Sequence, residues 1–288
     1  MKPEPVARGE RALGGEAVSW ERVVSRGWSR AEHWTFVLAD GTRAFAKVAA
    51  IAPHPDWLRQ EAVVLQLVRG PFAPELLAFE DGRRPLLVLE DLSDGAHWPP
   101  PWRPGDVEAV LATLAELAAA RAPALPSFPD PWLNWTAVAD DPEPFLSLDL
   151  ASAGWLERAL PELLAAEARA SYAGESVVHG DVRSDNLCVR HGRAVLVDWN
   201  FAMRGNPALD IAAWLPSLAL EGGPRPEELA DAVVAAFAPP VAGFFAAHAG
   251  LPPPEGAPLV RGFQLAQLEV ALPWACSVLE LPPPDLLR

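Results

Sequence analysis

Features that would place a protein in a membrane or in an oxidising compartment are scarce in this chain. Its 288 residues include only two cysteines, Cys188 and Cys276, which lie far apart and lack the spacing of metal ligands. The first 15 residues, MKPEPVARGERALGG, lack the apolar core of a signal peptide, and no apolar run of about 18 residues is apparent. We therefore expect two buried, reduced thiols, a cytoplasmic protein and no membrane partner, although two thiols alone do not exclude secretion.

Lysine is nearly missing, whereas arginine is not. Of the 23 Lys and Arg residues only Lys2 and Lys47 are lysines, and Lys47 lies in the apolar run AFAKVAA. A compact ammonium on a flexible stem suits a point contact to a phosphate better than a planar guanidinium does. The sequence favours Lys47 as a phosphate contact over the alternative, a strand lysine that points to solvent.

Positive charge is also in deficit, since the formal net charge is −15. This argues against a nucleic-acid partner that is held by a basic patch. Residues 1–92 hold 12 Lys and Arg against 13 Asp and Glu, whereas residues 93–288 hold 11 against 25. The acidic excess of the second part could attract a cationic substrate; a solvated acidic surface is the alternative.

Hydrophobic periodicity predicts a β-rich first third and a mostly helical remainder. We expect strands over residues 17–25, 31–39, 43–48, 76–79 and 86–89, and a helix over residues 57–68. Glu61 on this helix could pair with Lys47; a surface glutamate is the alternative. Asp40-Gly41 predicts a two-residue hairpin turn, and residues 25–29 a turn between the first two strands.

Proline and tryptophan cluster in two segments of the second part. Residues 93–105 look irregular, which suggests a domain boundary near residue 92, between an N-terminal lobe (1–92) and a C-terminal lobe (93–288). Residues 122–148 have the composition of an ordered surface excursion, within an insertion-like region of residues 97–170. Helices are expected over residues 105–120, 153–172, 206–217, 226–237, 241–249 and 258–279.

The stretch HGDVRSDN, residues 179–186, is followed by VLVDWN, residues 195–200. Its polar residues suit phosphoryl transfer, with Asp181 as the base for an attacking hydroxyl and Lys47 on the phosphates. Asn186 and Asp198 supply hard oxygen ligands for Mg²⁺. Arg183 either neutralises charge on the transferred group or forms a surface salt bridge. We expect His179 to brace the loop through a hydrogen bond rather than act as a base.

These two motifs resemble the H-G-D-x4-N and D-[WF]-x motifs of the aminoglycoside phosphotransferase family. The resemblance implies an α+β, two-lobed, protein-kinase-like fold, with Asp181 as catalytic base and Mg²⁺ on Asn186 and Asp198. It further implies that Lys47, paired with Glu61, contacts the α- and β-phosphates of ATP. It also implies a hinge near residues 89–92, where we expect Glu90 and Leu92 to meet the nucleotide base, and a substrate held by the C-terminal helices and the 97–170 insertion.

The chain departs from the usual family pattern at three places. The first turn is not rich in glycine, so GTP is not excluded as the donor. Arg183 and Ser184 replace a frequent His-Pro pair, and Asn200 stands where protein kinases have glycine. The acceptor is expected to be a small hydroxyl compound such as an aminoglycoside, with amino-alcohols, sugars, macrolides and homoserine-like metabolites as alternatives. No oligomeric state follows from the sequence.

Rival functions fit the sequence less well. Only 12 residues separate Asp198 from Asp210 and no Ala-Pro-Glu follows, which leaves little room for the activation segment of a protein kinase. A hydrolase would need a G-x-S-x-G elbow, which is absent. A non-catalytic nucleotide-binding homologue would be expected to lose Asp181, Asn186, Asp198 or Lys47, and all four are present.

Overall fold

A computed structural model of the chain describes residues 1–24, 31–128, 134–254 and 257–287. The turn predicted over residues 25–29 lies outside these residues. The chain forms two compact units, which are described separately. The first unit contains residues 1–126 and 179–203, and the second unit contains residues 127–178 and 204–288.

The elements of the first unit begin with a helix, and the chain returns to this unit after residue 178. In chain order they are α1 (Glu4–Leu13), β1 (Ala17–Val23), β2 (Glu32–Leu38), β3 (Arg43–Val48), α2 (His54–Leu67), β4 (Leu76–Glu80), β5 (Leu86–Glu90), β6 (Ala96–His97) and α3 (Asp106–Ala119), and later β8 (Leu187–Arg190) and β9 (Arg193–Leu196).

The second unit is mainly helical. Its elements are α4 (Asn134–Asp140), α5 (Glu143–Leu146), α6 (Ala153–Arg169), β7 (Ser176–Val178), β10 (Met203–Gly205, where the chain leaves the first unit), α7 (Ala208–Leu220), α8 (Pro226–Leu229), α9 (Ala232–Ala235), α10 (Ala238–Ala249) and α11 (Val260–Val278). The predicted helix over residues 226–237 is therefore two short helices.

Five strands of the first unit form an antiparallel sheet in the order β1-β2-β3-β5-β4. The predicted strands are present to within two residues at each end. The β2–β3 hairpin differs from the prediction: Leu38 N–H donates to the Thr42 carbonyl, so three residues rather than two form the loop. Gly41 occupies its left-handed position at φ 90°, as in the common three-residue hairpin.

Helix α1, which was not predicted, covers one face of this sheet. Val6 packs with Phe36, Ala44 and the other small and branched side chains of that face in one buried cluster. Gly9 allows the close approach, because a Cβ there would lie 2.6 Å from the Phe36 ring. Successive strand residues point to opposite faces, so Lys47, beside Ala46 of the cluster, points to the face away from α1. That face meets α2.

A second sheet of the first unit follows the order β6-β8-β9. Helix α3 packs on it, and the Thr113 hydroxyl donates to the Ala194 carbonyl at 3.0 Å. Asp106 is the first residue of α3, and its carboxylate accepts from the Arg103 N–H. The β8–β9 hairpin turns at His191 and Gly192, both with positive φ, which matches the twist of the strands that they join.

The core of the second unit is built around α10, which packs against α4, α6 and α11. The expectation of a surface excursion over residues 122–148 was wrong in part. Trp135 is completely buried, donates from Nε1 to the Pro239 carbonyl at 2.7 Å and meets Phe145 edge to face. Gly243 lies under it, since a Cβ there would be 2.7 Å from the indole. Trp135 and Phe145 of this segment fill core rather than surface.

One apolar stretch was overlooked in the sequence. Residues Ala232–Ala249 have a mean hydropathy of 1.6 over 18 residues and meet the length and composition of a membrane span. In the structure this stretch is α9 and α10, and 61% of it is buried inside the protein. The apolar residues of this stretch are explained by packing, because α10 is the central helix of the second unit.

The division near residue 92, predicted from composition, stays a prediction. The structure groups residues differently, since residues 93–126 and the stretch from His179 to Met203 belong to the same compact unit as the five-stranded sheet. All the residues predicted for the site therefore lie in the first unit.

Candidate active site

Strand β3 places the buried Lys47 between two carboxylates, one of them buried and the other partly exposed. The Lys47 ammonium lies 2.9 Å from both oxygens of Glu61 on α2 and also contacts the carboxylate of Asp198. Lys47 is 6% exposed and Glu61 is 2% exposed. The predicted Lys47–Glu61 pair is thus present, and Lys47 does not point to solvent.

The electrostatics of this cluster favour a charged lysine. Burial alone would lower the pKa of Lys47, but the Asp198 and Glu61 carboxylates outweigh it and hold the pKa above its ordinary value. Burial also opposes ionisation of Asp198, yet the adjacent ammonium lowers the pKa of that carboxyl. Burial raises the pKa of Glu61 and Lys47 opposes the shift. A fixed ammonium next to an ionised carboxylate is an arrangement that can hold phosphate and metal together.

The backbone after β9 presents Asp198 to the cluster. Asp198 has a left-handed backbone, with φ 64° and ψ 59°, which turns the chain sharply after Val197. The next residue, Trp199, is completely buried, and its indole N–H donates to the Leu196 carbonyl at 2.8 Å. The Trp199 backbone N–H hydrogen-bonds Glu61. Glu61 therefore holds both Lys47 and the chain beside Asp198.

Asp181 and Asn186 form the second half of the site. The Asn186 side-chain amide donates to the Asp181 carboxylate at 2.8 Å and to the Asp181 carbonyl at 2.9 Å. The amide oxygen of Asn186 therefore points away from Asp181 and is the atom available as a ligand. The Asn186 carbonyl accepts from the Val197 N–H at 2.8 Å, which holds Asn186 beside the residue that precedes Asp198.

Asp181 has the electrostatics of a proton acceptor. Its side chain is 30% exposed, and burial raises the pKa of the carboxyl, while Arg183 and the Asn186 amide oppose the shift. A carboxylate whose pKa is raised towards neutrality accepts a proton more readily.

His179 braces this loop, as the sequence predicts. It is completely buried, its Nε2–H donates to the Val197 carbonyl at 3.0 Å, and its Nδ1 accepts from the Asp181 N–H at 3.3 Å. Burial lowers the pKa of His179 to about 4, so the ring is neutral at pH 7 and fits one donor and one acceptor.

Gly180 is required by the close passage of the next segment. It has φ 81°, and a Cβ at this position would lie 2.8 Å from the Phe201 carbonyl. Since real Cβ atoms avoid both this angle and this distance, glycine alone fits between His179 and Asp181.

Arg183 is held mainly by its neighbour. Its guanidinium binds both oxygens of Asp185, at 3.0 and 2.6 Å, and lies 3.8 Å from Asp181. Asp185 is exposed, as expected for a turn residue. A catalytic role for Arg183 stays a prediction, and the structure supplies the alternative salt bridge.

The connector after β5 contains Glu90 and Leu92. The Glu90 N–H donates to the Glu75 carbonyl at 2.9 Å, and its carboxylate pairs with Arg190 at 2.6 Å. The Leu92 N–H forms no hydrogen bond with any residue in the described part of the chain, as a base-binding amide would require. The contact of both residues with a nucleotide stays a prediction.

His33 is a site residue that sequence reasoning missed. It faces Lys47 across the β2–β3 ladder and stacks on Phe45, with ring centroids 5.5 Å apart. Burial, with help from Lys47, lowers its pKa to about 4, while Asp198 opposes the shift. Only the strand register reveals this neighbour, and the sequence alone does not set that register.

Comparison with known proteins gives the class to which this fold and site belong. Solved structures of small-molecule kinases share the fold over nearly the whole chain. One is a thermostable mutant of an aminoglycoside phosphotransferase in complex with AMP-PNP and hygromycin B, which is 15% identical, covers 96% of this chain and 98% of its own, and has a TM-score of 0.58.

Two further structures extend the range of this class. A macrolide 2′-phosphotransferase from Brachybacterium faecium is 16% identical over 97% of this chain and 99% of its own, with a TM-score of 0.57. A choline/ethanolamine kinase family protein from Mesorhizobium loti is 16% identical over 96% of each chain, with a TM-score of 0.55. A search of curated protein sequences finds no match.

The sequence model of the phosphotransferase enzyme family matches residues 21–249, and the chain belongs to this family. The fold is the expected α+β, kinase-like fold, with a β-rich N-terminal part and a helical C-terminal part. The protein is a phosphotransferase that acts on the hydroxyl group of a small molecule.

Proposed function

We propose that the protein transfers the γ-phosphate of ATP to a hydroxyl of a small, cationic acceptor such as an aminoglycoside. The observation that carries the proposal is the pair of constellations in the first unit, Lys47 with Glu61 and Asp198, and Asp181 with Asn186. Phosphoryl transfer needs cations on the phosphates and a group that orients the attacking hydroxyl, and these side chains supply both.

In this proposal Asp181 accepts the hydrogen bond of the acceptor hydroxyl and takes its proton as the oxygen attacks the γ-phosphate. The Asn186 amide fixes one oxygen of the Asp181 carboxylate at 2.8 Å, so the other oxygen is directed to the acceptor. Desolvation of Asp181 raises its pKa and strengthens it as a base. Neutral His179 holds the Asp181 backbone in place and takes no part in proton transfer.

Lys47 contacts the α- and β-phosphates in this scheme, and Glu61 prevents the ammonium from swinging away. The Asp198 carboxylate and the Asn186 amide oxygen are the hard oxygen donors that would hold Mg²⁺. The described residues contain no group of three or more His, Cys, Asp or Glu side chains that could hold a metal ion alone. This fits Mg²⁺, which takes few protein ligands and completes its shell with water and phosphate, and which would neutralise charge on the transferred group.

ATP is proposed as the donor because relatives with this fold were solved with AMP-PNP. The unpaired Leu92 N–H and the backbone of Glu90 are the groups that we expect to meet the base. GTP is the other donor to be tested, since the same amide could bind a guanine.

The class of acceptor is argued from charge. Residues 93–288 carry a net charge of −14, with 11 basic residues against 25 acidic residues, and a negative surface concentrates cations. A solved relative was crystallised with hygromycin B, and another is named for macrolides. We propose a cationic, polyhydroxylated acceptor, and a cytoplasmic location where ATP is available.

The experiment is a phosphotransfer assay with ATP or GTP, Mg²⁺ and a panel of aminoglycosides, choline, macrolides and neutral sugars, in parallel with thermal-shift measurements. We expect turnover of at least one cationic acceptor, loss of turnover without Mg²⁺, and ATP to be preferred over GTP. Turnover of neutral acceptors only would overturn the charge argument. Nucleotide binding with no turnover of any acceptor, unchanged in Asp181→Asn, would point to a non-catalytic nucleotide-binding protein.

A further inference from the structure

The first unit contains a cavity that is lined by the connector residues Glu90 and Leu92 but by none of the side chains proposed to handle phosphate. Its volume is about 630 Å³, and it lies among the loop after α2, the connector after β5 and the β8–β9 hairpin. None of Lys47, Glu61, Asp181, Asn186 and Asp198 is among its lining residues. Its size is that of a small-molecule pocket.

Arginine dominates the polar lining of this cavity. Arg69, Arg190 and Arg193 line it together with Glu75 and Glu90, which gives the lining a formal charge of +1 in a chain whose net charge is −15. The Arg193 guanidinium donates to both carboxylate oxygens of Glu116, a residue that does not line the cavity. Since Arg193 is neutralised by Glu116 and Arg190 by Glu90, Arg69 is the lining cation that has no ion pair among the described residues, and its charge favours an anionic occupant.

Hydrogen-bond donors are also in excess. Arg69 is exposed to solvent and makes no hydrogen bond or ion pair within the described ranges of the chain. Arg190 uses Nη1 for Glu90 at 2.6 Å, but its Nε is buried and has no acceptor among the residues that the structure describes. A buried guanidinium N–H without an acceptor is costly, and a ligand oxygen would remove that cost.

Apart from the polar Gln66 and His191, the larger side chains of the remaining walls are apolar. They are those of Leu65, Val68, Leu76, Leu92 and Val195. An occupant that used both kinds of wall would carry an apolar body and a carboxylate or phosphate. The Glu75 carboxylate, which is exposed, opposes an anion next to it, whereas Glu90 is already neutralised by Arg190. We therefore place the anionic end at Arg69 and Arg190.

The cavity is lined in part by the connector after β5, through Glu90 and Leu92. Glu90 contributes its side chain to the cavity through the Arg190 pair, and its backbone is tied to Glu75, another lining residue, at 2.9 Å. A ligand oxygen on the Arg190 Nε–H would share the guanidinium with Glu90, which is bound at Nη1, and would thereby act on the segment that ends at Leu92.

We infer that this cavity binds a small organic anion with an apolar body, and that its occupancy changes the affinity of the protein for nucleotide. The second half of this inference rests on the proposed role of Glu90 and Leu92 in nucleotide binding; the first half does not. Binding is therefore measured separately from its effect on ATP.

The probe is 4-phenylbutyrate, with 4-phenylbutan-1-ol as a neutral compound of the same length, titrated into the full chain by calorimetry. Binding of the acid should be at least tenfold tighter than binding of the alcohol, because a charged hydrogen bond is worth about 1.5–3 kcal/mol. Arg69→Gln should weaken the binding of 4-phenylbutyrate by about fivefold or more. Arg190→Lys, which keeps the charge but lacks the Nε–H donor, should also weaken it. Arg121→Gln, an exposed arginine outside the cavity, should leave it unchanged.

Equal affinity for acid and alcohol, no heat at millimolar acid, or no effect of Arg69→Gln would overturn the binding site. Loss of binding in Lys47→Met would place the probe at the phosphate site and would overturn it as well. A saturating concentration of 4-phenylbutyrate should shift the dissociation constant of ATP at least twofold, and an unchanged constant would overturn the coupling. If ATP itself does not bind while the acid does, the proposed function fails and the binding site stands.

Discussion

The two units of the molecule differ most in charge. The first unit holds 17 Lys and Arg against 20 Asp and Glu, a net of −3, whereas the second holds 6 against 18, a net of −12. All the residues proposed to handle phosphate belong to the nearly balanced unit, where both lysines of the chain also lie. A polyanionic nucleotide and the proposed cationic acceptor would need opposite surroundings, and the difference in charge between the two units would provide them.

The largest effect is expected from Asp181, in the first unit. Asp181→Asn keeps the shape and the contact with Asn186 but removes the proton acceptor, so kcat should fall about 10²- to 10⁴-fold with little change in the KM for ATP. The measurement is steady-state phosphotransfer. Asp81→Asn, which alters a surface carboxylate of the same unit paired with Arg59, is the control and should keep full activity. A decrease of less than about tenfold for Asp181→Asn would argue against a role as general base.

The second effect concerns the folding stability of the first unit. Lys47→Ala leaves two carboxylates without their shared cation, and Glu61 is only 2% exposed. Removing one partner of a buried ion pair costs about 3–5 kcal/mol, which urea unfolding can measure.

The other lysine of the chain provides the control for this experiment. Lys2→Ala breaks a partly exposed pair with Glu10 and should cost less than about 1 kcal/mol. The double variant Lys47→Ala with Glu61→Gln should recover part of the loss. Equal costs for the two lysines would mean that the buried cluster does not depend on its cation.

The third effect is a pair of pH dependences of opposite sign, one from a buried carboxyl of the second unit and one from two buried histidines of the first. In the second unit the buried Glu167 accepts from the Asn134 and Trp135 N–H groups at 3.0 Å, and burial raises its pKa from 4.5 to about 7 despite these bonds. The folded state then binds more protons than the unfolded state between these values. The contribution of Glu167 to the free energy of unfolding therefore falls as pH rises from about 4.5 to 7, by up to about 3 kcal/mol.

In the first unit the buried His33 and His179 act in the reverse direction. Burial lowers the pKa of each ring from 6.5 to about 4, so the unfolded state binds more protons and stability rises with pH between these values. Urea unfolding at pH 5 and at pH 8 should therefore show a larger gain at pH 8 for Glu167→Gln than for the unmodified protein. Identical pH profiles would mean that Glu167 does not titrate in the folded state.

The smallest effect tests the acidic second unit directly. If its charge concentrates a cationic acceptor, raising the ionic strength from low to roughly 0.5 M should increase the KM for an aminoglycoside several-fold. The KM for a neutral acceptor, measured alongside, should change little. Equal salt dependence for cationic and neutral acceptors would mean that the charge of this unit serves solubility rather than recognition.

Much of the first unit could be predicted because its signals are local. Alternating strands, the lone lysine of AFAKVAA and the eight residues from His179 to Asn186 each carry their meaning within a few positions. The Lys47–Glu61 pair, 14 residues apart, followed from the expected strand and helix. His33 did not, because the residue opposite Lys47 is set by a hairpin whose loop has three residues instead of two.

The second unit was harder to read, since its signals depend on distant partners. Whether Trp135 covers a surface or fills a core is decided by its contacts with Gly243 on α10 and Phe145 on α5. The stretch Ala232–Ala249 has the composition of a membrane span, and its burial against other helices is visible only after folding. Helix α1 of the first unit was not predicted for the same reason, because its apolar residues are buried by contact with Phe36 on the sheet.

Gly180 has a consequence for how this loop can evolve. Protein kinases have arginine between the histidine and the aspartate of the corresponding loop, and a single base change converts a glycine codon into an arginine codon. Here that change would force a side chain into a left-handed backbone and to within 2.8 Å of the Phe201 carbonyl. A protein with arginine at position 180 would lose the conformation of this loop. We therefore expect the replacement to be tolerated only after the backbone at Phe201 has shifted away.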